Sequence, residues 1–271
     1  MGLLKVNGAE LYCEVRGAGP PVLLIMGASG DGGHFQGLVE LLADEYTVVT
    51  YDRRGNGRSP RPPGWNTTSN DEQVDDAAAL LSSIGLVSAV VFGTSLGANY
   101  ALDLSIRHPD AVRGAILHEP ALYGVLNDTE QVLAEVAPQL REAMETGGPP
   151  ALIERFWRWV AGDSGWEHLE PSLRRRMLAT ADTFCDIERG TYETYRPDDD
   201  TLAAITTPVV VLAGVHTPRF RLEIARWLAA RLGVEVLPAP DAHTPYIDHH
   251  PELAQTLRPL LRQLDATAQG E

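Results

Sequence analysis

The sequence predicts an α/β protein: a mostly parallel sheet with helices on both faces and a helical lid inserted late in the sheet. Three observations carry this prediction. Short apolar runs alternate with amphipathic stretches over the first part of the chain, in a β-α-β-α-β order. Between about residues 121 and 200 only helical periodicity is found, and strand-type sequence resumes at Pro208. Such alternation builds parallel strands joined by right-handed helical crossovers, and it brings functional groups to the carboxyl ends of the strands.

In chain order, residues 11–15 have the composition of an early strand, and residues 22–26 form a continuous apolar strand. Another strand covers residues 46–51, bounded by the turn Asp52-Arg53-Arg54-Gly55-Asn56-Gly57. A helix starts after Ser69 or Asn70, whose side chains can accept from its free N–H groups. It carries acids in its first turn, runs to Ile84 and closes at Gly85. Residues 89–92 are a strand, a helix follows to about His108, and residues 112–117 are the next strand. Helical segments then cover residues 129–144, 151–160 and 171–187, with Gly147-Gly148-Pro149-Pro150 as a joint. The sheet resumes with a strand at 208–213, a helix at 221–232, a strand at 234–237 and a last helix at 251–264. The expected organisation is a core of residues 1–120 and 201–271 with a lid of residues 121–200.

With 271 residues, 44% of them hydrophobic, the chain can bury one large core and a modest lid. No stretch approaches the roughly 20 apolar residues of a membrane span. Residues 1–6 carry no long apolar segment before a small-residue cleavage site. A soluble, cytoplasmic protein is expected. Cys13 and Cys185 lie far apart without metal-ligand spacing, so buried thiols are expected rather than a disulfide or a metal site. A net charge of -15 repels nucleic acid and anionic membranes, and the run Arg174-Arg175-Arg176 is expected to mark a solvated helix face. The expected partners are a small hydrophobic molecule and, at most, a second copy of the chain in a homodimer.

Chemistry enters at Gly93-Thr94-Ser95-Leu96-Gly97, which follows an apolar strand and leads into a helix. Small residues two before and two after the serine let the backbone turn sharply and lift the hydroxyl clear of the sheet, which is the geometry of a nucleophile elbow. The same pattern fits an ordinary glycine-rich turn with a capping serine. A serine hydroxyl is a poor nucleophile, so it needs a histidine to accept its proton and an acid to hold that histidine in the right tautomer. His243 is the best placed of the eight histidines, because the last strand delivers it to the same sheet edge as Ser95. His249 and His250 are expected to be exposed beside Pro251. His34 is placed near the mouth of a pocket, His108 at a helix end, His168 in the lid, and His118 and His216 at strand ends. A neutral imidazole acting as base predicts a rate that rises through about pH 6 to 7.

Taken together, the elbow Gly93 to Gly97, the loop Met26-Gly27-Ala28-Ser29-Gly30, the turn Asp52 to Ser59 and the block His243-Thr244-Pro245-Tyr246-Ile247-Asp248-His249-His250-Pro251 resemble the α/β-hydrolase superfamily over nearly the whole chain. Ala242 stands where the histidine block of that superfamily usually has a glycine. The resemblance implies an eight-stranded sheet and a Ser-His-acid triad. In many members the acid follows the strand after the lid in a Gly-x-x-Asp setting, but here that stretch is Gly214-Val215-His216-Thr217. Other members carry it at the end of the preceding strand, and Glu119 occupies that place in Leu117-His118-Glu119-Pro120. Asp241 and a dyad without an acid are the alternatives.

Two donors are needed for the oxyanion of acyl transfer, and the backbone N–H groups of Leu96 and Ala28 are the candidates. Gly27, His34, Trp157 and Tyr123 are expected to contact substrate, while most other lid aromatics, Phe156, Trp159 and Trp166 among them, pack within the lid. Residues 27–33 lack the Gly-Lys-Ser/Thr ending of a phosphate loop, and Gly55-Asn56-Gly57 lacks the third glycine of a dinucleotide turn. Asp52, Arg54 and Ser59 are expected to stabilise a turn. Neither a cofactor nor a metal is expected. The leading reading is a serine hydrolase of an ester, thioester or lactone. The same triad used for perhydrolysis, C–C hydrolysis or a lyase step, and a binding protein on a hydrolase scaffold, are the other two.

Overall fold

Apolar runs become strands where both faces can be covered. The computed structural model describes residues 2–127, 129–193 and 195–269. Its sheet contains β1 (Leu3–Val6), β2 (Ala9–Arg16), β3 (Pro21–Ile25), β4 (Thr47–Tyr51), β5 (Ala89–Thr94), β6 (Val112–His118), β7 (Val209–Gly214) and β8 (Val236–Ala239). These eight strands lie in the order β1-β2-β4-β3-β5-β6-β7-β8. β2 pairs antiparallel with β1 and β4, and every other pair is parallel. The expected fold class is therefore the observed one. Leu23, Leu24, Ile25, Val91 and Phe92 have no exposed surface, as continuous apolar sequence in a parallel sheet covered on both faces requires.

Helices α1 (Gln36–Leu42), α2 (Asn70–Ser83) and α3 (Leu96–Arg107) connect the first strands. The Ser69 side chain accepts from the Glu72 N–H at the start of α2, and Gly85 takes a φ of 79° just beyond its end. The short β1 and α1 were not foreseen. β1 has only four residues, three of them at least partly solvated, and α1 has seven without a side-chain cap.

Between β6 and β7 the chain forms α4 (Thr129–His168), α5 (Pro171–Ala179), α6 (Ala181–Thr183), a π turn at Phe184–Glu188, α7 (Arg189–Glu193) and α8 (Asp199–Ala203). The glycine-proline joint breaks α4 at Gly148, with φ 69°, and a second break occurs at Gly162, with φ 76°. Among the described residues no helix is long and apolar enough to cross a membrane. In the arginine run at 174–176, Arg175 is exposed as expected, but its two neighbours are half-buried and paired. Arg174 caps the end of α4 through the carbonyls of Trp166 and Glu167, and Arg176 reaches Asp31 of the core at 2.6 Å. α9 (Arg219–Leu232), α10 (Pro245–Asp248) and α11 (His250–Gln269) complete the fold. Because β3, β5, β6 and β7 are mutually parallel, their carboxyl ends open on one edge, and the site lies there.

Candidate active site

β5 ends at Thr94 and α3 begins at Leu96, so the whole reversal falls on Ser95, with φ 55° and ψ -125°. The flanking glycines are compulsory. A Cβ on Gly93 would stand 2.2 Å from the Gly97 carbonyl oxygen, and one on Gly97 would stand 2.2 Å from that of Ile25. The Ser95 N–H donates to the His118 carbonyl at 2.9 Å, which ties the turn to the end of β6. Ser95 itself keeps partial access to solvent. The loop after β3 passes close above it: a Cβ on Gly27 would lie 3.0 Å from Ser95 Cβ and 3.5 Å from its Oγ. Among the described residues no protein acceptor takes the N–H of Ala28 or of Leu96. The latter opens the positive end of α3.

Glu119 follows β6 with φ 45°, is 2% exposed, and donates its own N–H to the Leu212 carbonyl. This places its carboxylate between two partners. Oε2 lies 2.6 Å from His243 Nδ1, and Oε1 accepts the N–H of Gly214, the last residue of β7, at 2.9 Å. Arg221, at the start of α9, stands 3.6 Å from Oε2. Asp241 does not reach the imidazole as an acid; its carbonyl accepts the His216 N–H, and the buried Thr217 Oγ1 has no partner among the described residues. Gly214 packs directly beneath the histidine loop, since a Cβ there would stand 2.5 Å from the Ala242 carbonyl oxygen.

Burial lowers the His243 pKa to about 4; the nearby Arg221 charge adds to this, and Glu119 partly opposes it. For Glu119 burial acts upward, but the hydrogen bond from His243 and the surrounding charges, Arg221 included, hold the carboxyl well below the usual carboxylate range. At neutral pH the pair is a carboxylate and a neutral imidazole, whose proton is assigned to Nδ1 from the hydrogen bond it makes. The sequence-based expectation of a titration between pH 6 and 7 is corrected by this burial. Ser95 and His243 flank the same residue: Ser95 bonds the His118 backbone, while the His118 ring stacks on His243 with centroids 6.3 Å apart. No hydrogen bond joins Ser95 Oγ to His243 among the described residues, the looser arrangement common before a substrate arrives.

Among the described residues, positive φ outside glycine occurs at Asn7, Ser29, Ser95, Glu119 and Asp241. All but Asn7 border this site. Backbone in such wells is kept only where its surroundings over-determine it, and it gathers where function needs it.

His34 is buried rather than at a pocket mouth, stacked on Trp157 at 5.5 Å with Nε2 3.2 Å from Met177 sulfur. Trp157 donates to Ser29 Oγ at 2.8 Å, so the helical insertion rests on the loop that carries Gly27 and Ala28. Tyr123 stacks on Phe220 at 6.1 Å. His249 and His250 are half-buried, not exposed, and the His250 ring would meet a Cβ on Gly37 at 2.8 Å. His216 is exposed, and His108 pairs with Asp75. Asp52 and Ser59 shape their turn: Asp52 accepts from the Gly32 and Arg58 N–H groups, and Ser59 donates to its carbonyl. Arg54 pairs with Asp76. An open cleft of about 670 Å³ beside Phe220 and Trp227 does not include Ser95, Glu119 or His243 in its lining. Among the described residues no cluster of three or more His, Cys, Asp or Glu could hold a metal. Arg221 had no signal in the sequence, because a buried arginine at the start of a helix looks like any solvated one.

A serine turn thus joins β5 to α3 on an eight-stranded sheet. The chain belongs to the α/β-hydrolase family and is a hydrolase of that family: the description of the alpha/beta hydrolase fold matches residues 20–155. A protein of Bacillus subtilis (strain 168), the uncharacterized hydrolase YraK, is 35% identical over 267 residues, covering 97% of this chain and 96% of that one. Among solved structures, a thermophilic esterase from Thermogutta terrifontis superposes with a TM-score of 0.77 at 24% identity, covering 97% of this chain and 99% of that chain. The enol-lactonase from Burkholderia xenovorans LB400 does so with a TM-score of 0.70 at 18% identity, covering 94% and 97%. These two likenesses are of fold.

Proposed function

We propose that this hydrolase cleaves an ester, thioester or lactone bond of a small to medium hydrophobic molecule through an acyl-enzyme on Ser95. The observation that carries the reading is the carboxylate of Glu119 at 2.6 Å from His243 Nδ1, beside a serine on a strained turn. In this reading Ser95 Oγ attacks the acyl carbon while His243 Nε2 takes its proton. Glu119 stabilises the imidazolium that forms, and the N–H groups of Ala28 and Leu96 receive the oxyanion. Collapse returns the proton to the leaving alcohol, thiol or ring oxygen. Water then repeats the sequence and frees the acid. Gly27, Trp157 and Tyr123 belong to the substrate enclosure, with His34 packed behind Trp157, and the aromatic rings suit an apolar acyl group. A buried carboxylate–imidazole pair costs desolvation that a scaffold used only for binding has no need to keep.

The test is a series of p-nitrophenyl esters of increasing chain length, with thioesters and lactones, alongside a fluorophosphonate probe. Turnover of at least one class and labelling of Ser95 in the native protein are expected. A protein that turns over none of them and is not labelled defeats the reading.

The pH profile provides an independent check. Since the base must be neutral, kcat/KM should rise with pH around a midpoint near about 4. Arg221→Met removes a positive charge that disfavours the imidazolium, so the midpoint should move upward, toward but not beyond the ordinary histidine value of about 6.5. A midpoint unchanged or lowered in that variant would show that Arg221 does not act on His243.

A further inference from the structure

The serine turn and the Glu119–His243 pair leave one part of the site without a support: the loop of Gly27 and Ala28. Its carbonyls are held from below. Arg53, in the turn after β4 and 1% exposed, donates from Nη1 to the Met26 carbonyl at 2.7 Å and to the Gly27 carbonyl at 2.8 Å. Its Nη2 donates to both oxygens of Glu188, at 2.8 and 3.0 Å. Glu188 has no exposed surface, lies in the π turn of the helical insertion, and also accepts from Asn56 Nδ2 at 2.7 Å. The guanidinium lies 5.6 Å from the Tyr100 ring centroid. Arg53 Nε, Asn56 Oδ1 and the Tyr51 hydroxyl, all buried, have no partner among the described residues.

Buried ion pairs in general contribute little net stability over apolar residues of similar volume, so one placed here calls for a reason beyond stability. Peptide geometry supplies one. The Gly27 carbonyl and the Ala28 N–H belong to the same planar peptide unit, so a donor that fixes the oxygen also fixes where the N–H points. A cation on that oxygen polarises the amide as well, and strengthens the hydrogen bond its N–H can give. We propose that Arg53 is a positioning residue that orients and polarises the Gly27–Ala28 peptide toward the oxyanion, and that Glu188 of the helical insertion holds Arg53 in place. The proposal rests on the acyl-transfer reading above, in which Ala28 is an oxyanion donor. It makes the insertion a structural partner of the catalytic loop as well as its cover.

The experiment compares Arg53→Met, Arg53→Lys and Glu188→Gln with the native enzyme. Each is read by kcat/KM per titrated active site, by the inhibition constant of a phenylboronic acid that forms a tetrahedral adduct on serine, and by the pH midpoint. Removing an oxyanion donor costs on the order of 10² to 10³, so misdirecting one in Arg53→Met should lower kcat/KM on the order of 10- to 100-fold. The boronic acid should weaken by the same factor, and the pH midpoint should stay in place. Arg53→Lys keeps the charge but not the fork and should recover part of the loss; Glu188→Gln should lose less than Arg53→Met. A merely structural role would lower the melting temperature and the fraction of titratable sites, yet leave both constants per site unchanged, and that outcome overturns the proposal. Should Arg53→Met fail to fold, Arg53→Lys and Glu188→Gln decide in the same way. Failure of the underlying reading is distinguishable, because the native enzyme would then bind no boronic acid and take up no fluorophosphonate.

Discussion

Ser95→Ala should leave a folded protein whose turnover falls on the order of 10⁴ to 10⁶ fold, the loss expected if the proposed nucleophile is removed. The Ser95 hydroxyl has no hydrogen-bond partner among the described residues, so its removal disturbs little packing. His243→Ala should produce a comparable loss, and the double variant should lose little more, since in the proposed mechanism nucleophile and base act as a unit. Turnover of the best ester, measured beside a thermal melt, checks both. Activity within tenfold of the native enzyme in Ser95→Ala would remove this serine from the chemistry.

Glu119→Gln should lower turnover on the order of 10³ to 10⁴ with little effect on folding. The amide oxygen can still accept the Gly214 N–H, but the NH₂ group then faces His243 Nδ1. A donor cannot accept the imidazole proton, so the ring takes the other tautomer, with its proton on Nε2, where it can no longer receive one from serine. Adding Thr217→Asp to this variant should return part of the rate, since the resemblance of the chain to its family makes residue 217 an alternative seat for the acid. Kinetics of the single and double variants decide, and a normal rate in Glu119→Gln would leave a dyad without this acid.

The strands were legible because a parallel sheet covered on both faces demands unbroken apolar runs, and β3 and β5 are such runs. The turn at Ser95 was legible because steric demand at Gly93 and Gly97 leaves only glycine. The absence of a carboxylate at Thr217 pointed to Glu119, whose side chain lies against His243. Burial was harder to see. Arg53 and Arg54 are neighbours of one residue type, yet Arg53 turns inward to the loop after β3 and Arg54 goes to Asp76 on α2. Which of the two enters the core depends on Glu188, 135 positions away, which local pattern cannot reveal. The depressed His243 pKa has the same origin, since desolvation and the Arg221 charge exist only in the assembled site. Isolated glycines in helical sequence are equally ambiguous, which is why the break at Gly162 went unseen while the Gly-Pro joint did not.

The unfavoured backbone wells at Ser29, Ser95, Glu119 and Asp241 belong to four segments spread along most of the chain. Each costs on the order of 1 to 3 kcal/mol, and each is also tied to chain outside its own turn: Ser29 to Trp157, Ser95 to His118, Glu119 to Leu212 and Asp241 to His216. The site is thus a keystone arrangement, each of its turns braced by a different part of the chain. An intact site is therefore a finer gauge of whether the sheet is fully seated than any measure of how much helix or strand the chain contains.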